Sequence, residues 1–193
     1  QVPVENVTAG NGSDELISII CNSFLEKGDR FLTLEPEFSM YRFYGSLSEG
    51  VPVTLQKPEN LQIDVDEVIR VCREQDIKLL IFSNPCNPTS LGLGREEVRR
   101  LISSVEALVV LDEAYMDFWD QSLLPEFQDY DNLMILRTCS KAFGGAALRL
   151  GFAVASLPLT NALKAVKSPY NVNSFSQAAG AALLRRKEAS QAA

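Results

Sequence analysis

Two continuous apolar runs, Leu79-Leu80-Ile81-Phe82 and Leu108-Val109-Val110-Leu111, constrain the fold of this chain more than any other feature. Short runs without polar alternation read as strands covered on both faces, and such strands belong to parallel sheets with helices above and below. The surrounding pattern agrees. Strands are predicted at residues 4–9, 30–35, 51–56, 78–83, 107–112, 133–138 and 151–156, and amphipathic helices at 14–26, 39–48, 65–74, 95–104, 160–167 and 174–186. Asp64, followed by Asp66 and Glu67, supplies an N-cap and first-turn acid for the third helix. The expected architecture is a three-layer α/β/α fold around a mostly parallel seven-stranded sheet.

In sheets of this kind, ligands bind beyond the carboxyl ends of the strands. Five polar segments fall at strand ends: Gly10-Asn11-Gly12-Ser13-Asp14, residues 83–90, residues 112–115, Ser140-Lys141, and Arg149 just ahead of the last strand. They are expected to converge on one pocket.

Composition narrows the chemistry available there. The 193 residues contain no histidine, which removes the usual general base, the Ser-His and Cys-His nucleophile pairs and imidazole metal ligands. Proton transfer must use lysine, tyrosine or a carboxylate. A formal charge of −7 opposes attraction to nucleic acid or an anionic membrane, although a local basic pocket can still hold one phosphate. Cys21, Cys72, Cys86 and Cys139 form no C-x-x-C pair, and the N-terminus does not read as a signal peptide, so a reducing cytoplasm is expected. No apolar run approaches the roughly 18 residues that would span a bilayer.

The turn from Gly10 to Glu15 joins a strand to a helix, so its free amides can cradle a phosphate; it serves equally as a plain turn with Ser13 or Asp14 as N-cap. It lacks the third glycine of a dinucleotide fingerprint, and Ser140-Lys141-Ala142 is not the Gly-Lys-Ser/Thr of a P-loop. Lys141 lies among Ala142, Phe143, Gly144 and Gly145. It is either a surface lysine or an amine kept neutral by partial desolvation or a neighbouring cation, a state in which it forms imines. The adjacent Ser140 and the nearby Arg149 favour the second reading, since they offer a hydroxyl and a cation suited to phosphate. Asp112 ends the most apolar strand. It either caps the next segment or enters a partly buried site, where a carboxylate needs a partner such as a pyridinium nitrogen. Asn84-Pro85-Cys86-Asn87-Pro88-Thr89 reads as a rigid turn that leaves an asparagine side chain free to point outward.

Together, Asn87-Pro88-Thr89, Asp112-Glu113-Ala114-Tyr115 and Ser140-Lys141 with Arg149 stand in the order and approximate spacing of the N-P-T-G, D-E-A-Y and S-K-x7-R motifs of fold-type I pyridoxal-phosphate aminotransferases. The chain resembles that family from Val4 to about Leu184. The Gly-Asn-Gly-Ser-Asp-Glu run, Met40-Tyr41 after Glu35-Pro36, and Leu148-Arg149-Leu150-Gly151-Phe152 are most similar to histidinol-phosphate aminotransferases. The resemblance implies pyridoxal 5′-phosphate as cofactor, held by Lys141 as a Schiff base, with the same lysine then shuttling the proton between Cα and C4′. It implies that Asp112 pairs with the pyridine nitrogen, that Asn87 and Tyr115 hydrogen-bond the phenolic oxygen, and that Tyr41 stacks on the ring. The Ser13 and Asp14 amides, Ser140 and Arg149 would bind the phosphate.

The implied reaction converts histidinol phosphate and 2-oxoglutarate to imidazole-acetol phosphate and glutamate, a step of histidine biosynthesis. A threonine-phosphate decarboxylase, or another class I/II aminotransferase, would use the same cofactor residues; a non-catalytic binding module is the alternative of a different class. The implied partners are an amino donor and a 2-oxo acid, with neither nucleic acid nor membrane, and the parent is expected to be a homodimer. Ser90 stands where the motif has glycine, so a positive φ there would strain or rebuild the turn, and Gly145-Ala146-Ala147 is looser than the family's usual run. Gln1 is not an initiator methionine, and Arg185-Arg186-Lys187-Glu188-Ala189 still reads as helix. The expectation is a large-domain fragment: residues 1–168 as the cofactor-binding domain and 169–193 as a helix leading toward a small domain outside the chain. The family's N-terminal segment, which helps close the site, and the small-domain arginine that grips the substrate carboxylate would also lie outside it.

Overall fold

The computed structural model describes residues 2–185. Strands β1 (Val7–Asn11), β2 (Arg30–Glu35), β3 (Val51–Gln56), β4 (Ile77–Ser83), β5 (Leu108–Asp112), β6 (Leu133–Thr138) and β7 (Leu150–Ala155) form one sheet. Its order is β1-β7-β6-β5-β4-β2-β3. Only β7 runs antiparallel to its neighbours; every other pairing is parallel. The helices are α1 (Ser13–Phe24), α2 (Met40–Leu47), α3 (Val65–Glu74), α4 (Arg95–Ser104), α5 (Leu157–Val166) and α6 (Ser174–Arg185).

The central strands read as unbroken apolar runs because both of their faces are covered. Leu80, Phe82, Val109, Leu111 and Ile135 meet Val68, Ile69, Val98 and Leu101 of α3 and α4. The alternate residues Leu79, Ile81, Val110, Met134 and Leu136 meet Leu16 and Ile20 of α1, Tyr41 of α2 and Leu163 of α5 on the opposite face. Each such side chain contributes roughly 1.5–3 kcal/mol relative to exposure, so two filled layers hold the sheet between them. Cys139, Leu150 and Val172, with Leu183 packed against them, seat α6 on the start of β7. The Asp64 carboxylate accepts from the Glu67 amide at 3.1 Å and caps α3 as expected. No helix among the described residues is long and apolar enough to cross a membrane.

Element boundaries differ from the sequence reading where side chains or proline act locally. Val4–Asn6 form a 3-10 turn instead of the start of β1: the Asn6 backbone amide donates to Pro3 O at 3.1 Å, and its side-chain Nδ2 donates to Ala155 O at 2.8 Å. Helix α1 stops at Phe24, where the Leu25 amide bonds Cys21 O. Helix α5 begins at Leu157, before Pro158, because a proline in the first turn gives up an N–H that has no helical partner there. Gly12, at φ +84°, is the N-cap of α1, in place of the expected Ser13 or Asp14. Residue 186 of the last predicted helix lies outside the described residues.

Because β7 runs backwards, its amino end lies at the edge where its neighbours terminate. Asn11 pairs with Leu150 and Thr138 with Gly151 at this edge, where Ser83 also pairs with Asp112. Arg149 is thereby delivered beside the turn that opens α1. Gly151 makes this approach possible: a Cβ there would meet the Ser13 amide nitrogen at 2.3 Å and the Gly12 carbonyl carbon at 2.6 Å. Backbone cannot yield as a flexible side chain would. Gly151→Ala is therefore expected to destabilise the chain by roughly 2–3 kcal/mol in urea unfolding. Gly28→Ala, at φ +90° with nothing within 4 Å, should cost only about 1 kcal/mol from its backbone conformation. Equal losses in the two variants would refute the packing account.

Candidate active site

The sheet edge opens into a cavity of about 230 Å³. Ser13, Asp14, Tyr41, Asn87, Asp112, Tyr115, Ser140, Lys141 and Arg149, all the residues singled out from the sequence, line it together with Phe38, Ser83, Ala114 and Thr138.

Asp112 forms the floor. It is the last residue of β5 and 4% exposed. Its Oδ2 accepts from the Tyr41 hydroxyl at 2.8 Å and its Oδ1 from the Ala114 amide at 3.0 Å. Neither partner is a cation. Burial pushes its pKa up to about 6, against the pull of these two hydrogen bonds and with reinforcement from the Glu37 and Glu113 charges. Glu113, also buried, anchors the following loop instead: it accepts from Leu123 N at 2.9 Å and Ser122 Oγ at 2.6 Å, and pairs with Arg137 at 3.0 Å. That anchorage sets where Tyr115 stands.

Two cations face this floor. Lys141 follows β6, and its Nζ lies 5.0 Å from the centroid of the Tyr115 ring. The residue is exposed, so of the two conditions named for it, partial desolvation or a neighbouring cation, the described residues do not supply the first. Arg149 adopts a left-handed φ of 48°. Its guanidinium lies over Gly12, where a Cβ would meet Nη2 at 2.4 Å and push the guanidinium aside, and the positive φ of 84° favours glycine there. Among the described residues the guanidinium's recorded partner is Ala146 O, at 3.4 Å. Beside it, the Asn11 amide is taken by Glu15 Oε2 at 2.6 Å and the Gly12 amide by Gly10 O at 2.9 Å. The Ser13 and Asp14 amides open α1 without intrahelical acceptors, at the positive end of its dipole.

The proline-rich turn divides its two asparagines. Asn84 points inward, donating to Leu93 O at 3.1 Å and accepting from Leu93 N at 2.8 Å, whereas Asn87 lines the cavity. Ser90 adopts φ +62°, the conformation that glycine takes easily, at a cost of about 1 kcal/mol. The Cys86 amide to Leu91 O, 2.7 Å, and the Ser90 amide to Cys86 O, 2.8 Å, hold the turn closed with serine in place.

Tyr41 differs most from expectation. Its ring is 1% exposed and meets Phe38 edge-on, with centroids 5.4 Å apart, and its hydroxyl is spent on Asp112. It braces the floor and offers no stacking face. Phe38 and Tyr115, both partly exposed, give the cavity its aromatic surface. Both aromatics were visible in Phe38-Ser39-Met40-Tyr41, but only the packing of α2 decides that Tyr41 is the buried one. Ser83 lines the cavity from the end of β4, within the 83–90 segment expected there, whereas Thr138 lies outside every segment singled out from the sequence.

The profile of the aminotransferase class I and II family matches residues 1–192. The chain belongs to this family. A histidinol-phosphate aminotransferase from Clostridium novyi (strain NT) is 44% identical over 184 residues, which are 95% of this chain and 52% of that protein. The chain thus spans about half the length of the curated relatives it matches. The crystal structure of histidinol-phosphate aminotransferase from Sinorhizobium meliloti in complex with pyridoxal-5′-phosphate superposes with a TM-score of 0.91 at 23% identity, over 97% of this chain and 52% of that one. The structure of L-threonine-O-3-phosphate decarboxylase from Porphyromonas gingivalis gives 0.81 at 23% identity, over 96% and 55%. At these identities the likeness establishes the fold, and it is the fold-type I architecture expected from the motifs.

For this aminotransferase-family chain the floor carboxylate has a measurable signature. The folded pKa of Asp112, about 6, lies above its ordinary value of 3.8. Its contribution to stability is therefore fully present below about pH 4 and is lost as pH rises through 6, a change of about 3 kcal/mol. Asp112→Asn should flatten this part of the stability profile of the ligand-free chain, measured by urea unfolding from pH 4 to 7. An unchanged slope would assign the titration to another group.

Proposed function

We propose that the protein is a pyridoxal-phosphate-dependent aminotransferase that acts on histidinol phosphate with 2-oxoglutarate as acceptor. The reading is carried by Asp112, a buried carboxylate without a cation, on the floor of a cavity that also holds Lys141 and Arg149. A protonated pyridine nitrogen supplies the partner this carboxylate lacks. A phosphate suits Arg149, Ser140 and the Ser13 and Asp14 amides, while an aldehyde suits the exposed amine of Lys141. The cavity residues therefore fit the cofactor group by group.

When bound, pyridoxal phosphate supplies a carbonyl that captures amines and a ring that accepts electron density from the substrate Cα. The chain does the rest. Lys141 Nζ would hold the cofactor and would move the proton at the substrate Cα, a task for which this chain has no histidine. Asp112, braced by Tyr41, keeps the ring nitrogen protonated. Asn87 and Tyr115 would hydrogen-bond the ring oxygen, and Phe38 would cover the ring face. The name of the 44% identical relative supports the substrate, and histidine biosynthesis as the setting. In this reading residues 1–168 form the cofactor-binding domain, the helix from 169 leads toward a small domain, and the enzyme works as a cytoplasmic homodimer.

The chain mixed with pyridoxal phosphate is expected to develop an absorbance band near the visible edge, and borohydride should fix the cofactor on Lys141. Lys141→Ala should lack both, and Arg149→Gln should weaken binding about tenfold to a hundredfold. A band that survives in Lys141→Ala would mean that another lysine is used, and no band in the unaltered chain would count against the reading. Turnover of histidinol phosphate, compared with carbon dioxide release from threonine phosphate, separates the transaminase from the decarboxylase.

A further inference from the structure

A buried ion pair behind the cavity wall has no part in the chemistry assigned above. The Glu37 and Lys57 side chains are each 2% exposed, with Nζ and Oε2 3.5 Å apart. Lys57 follows β3, the edge strand, and its ammonium also donates to Pro36 O at 2.8 Å and to Cys86 Sγ at 3.1 Å. Glu37 Oε1 accepts from the Ser83 hydroxyl and from the Phe38 amide, the latter at 3.2 Å. Ser83 Oγ in turn accepts from the Asn87 amide at 3.1 Å. One carboxylate thus joins three parts of the cavity wall: the end of β4, the Asn87 turn and Phe38.

Stability alone does not account for such a pair, because well-packed apolar residues in its place are often neutral or better. Its position does. Glu37 is a second carboxylate close to the floor: burial raises its own pKa, opposed by the Ser83 hydrogen bond and the Lys57 charge, and its charge adds to the upward shifts of Asp112 and Tyr41. The ionisable groups about Asp112 are Tyr41, Glu37 and the Arg137-paired Glu113, with Lys141 and Arg149 on the cavity wall; Cys86 adjoins the pair.

We propose that Glu37 and Lys57 are positioning residues of the cofactor site: they lock Ser83, the Asn87 turn and Phe38 together, and Lys57 offsets part of the negative charge that Glu37 brings close to the floor. The cofactor's identity rests on the aminotransferase reading; the geometry of the pair does not.

The test has two readouts, the carboxyl 13C NMR titration of Asp112 in the ligand-free chain and the binding of pyridoxal phosphate followed by absorbance. Lys57→Met should raise the Asp112 midpoint by about one unit and weaken binding about tenfold near neutral pH. The double variant Lys57→Met/Glu37→Gln should return both toward the unaltered chain. Glu37→Gln alone should lower the midpoint, which keeps the idea testable if Lys57→Met does not fold. The proposal is overturned by a midpoint that none of these variants moves, or by a double variant that binds no better than Lys57→Met. Failure of the unaltered chain to bind pyridoxal phosphate would strike the aminotransferase reading instead, and the Asp112 midpoints would still judge the pair.

Discussion

Asp112 ends β5 with a carboxylate that the fold has almost wholly removed from water. A charge in that position is unfavourable without a partner, and the Tyr41 hydroxyl and Ala114 amide offset only part of the penalty. Much of the local structure follows from holding it there. Tyr41 spends its ring in the core and its hydroxyl on the carboxylate, which leaves the aromatic surface of the cavity to Phe38 and Tyr115. Glu113, the next residue, turns away and fastens the loop that carries Tyr115. A buried acid held ready for a cation is a poor choice for stability and a good one for a binding site.

The remaining groups reach Asp112 through sheet geometry. Parallel neighbours end at one edge, so β4, β5 and β6 deliver Ser83, Asp112 and the Ser140-Lys141 loop to the same place. The single reversed strand adds what a wholly parallel sheet would not, since β7 enters at that edge and brings Arg149 with it. Gly12 and Gly151 allow the close approach: one leaves space for the guanidinium and the other for the α1 turn. An anion-binding corner therefore forms where a helix N-terminus and an arginine meet over two missing side chains.

A large part of this was legible beforehand. The unbroken apolar runs announced a sheet covered on both faces, and three strands, β2, β3 and β6, match their predicted limits. Short polar segments at strand ends marked the cavity, because a parallel sheet gives those ends a common edge. Legibility failed where a side chain faces one of two ways. Nothing in Phe38-Ser39-Met40-Tyr41 states which aromatic is buried against Asp112 and which stays partly exposed, and nothing along the chain links Glu37 to Lys57, twenty residues away and on the far side of β3. The cover over Lys141 was illegible for a related reason: neighbours in sequence do not report how much of the amine is covered in space.

The sequence by itself determined the class of fold, the strands that carry the chemistry, and the motifs that make this chain a member of the class I and II aminotransferase family. Those properties are written in local periodicity and in residue types at fixed spacing, so they survive without coordinates. Only the tertiary structure decided that β7 runs backwards, that Tyr41 is buried with its hydroxyl on Asp112 while Phe38 stays partly exposed, and that a buried Glu37–Lys57 pair stands behind the wall. Each of these is set by packing between segments distant in sequence, where burial and charge compensation select one arrangement among several that local preference allows.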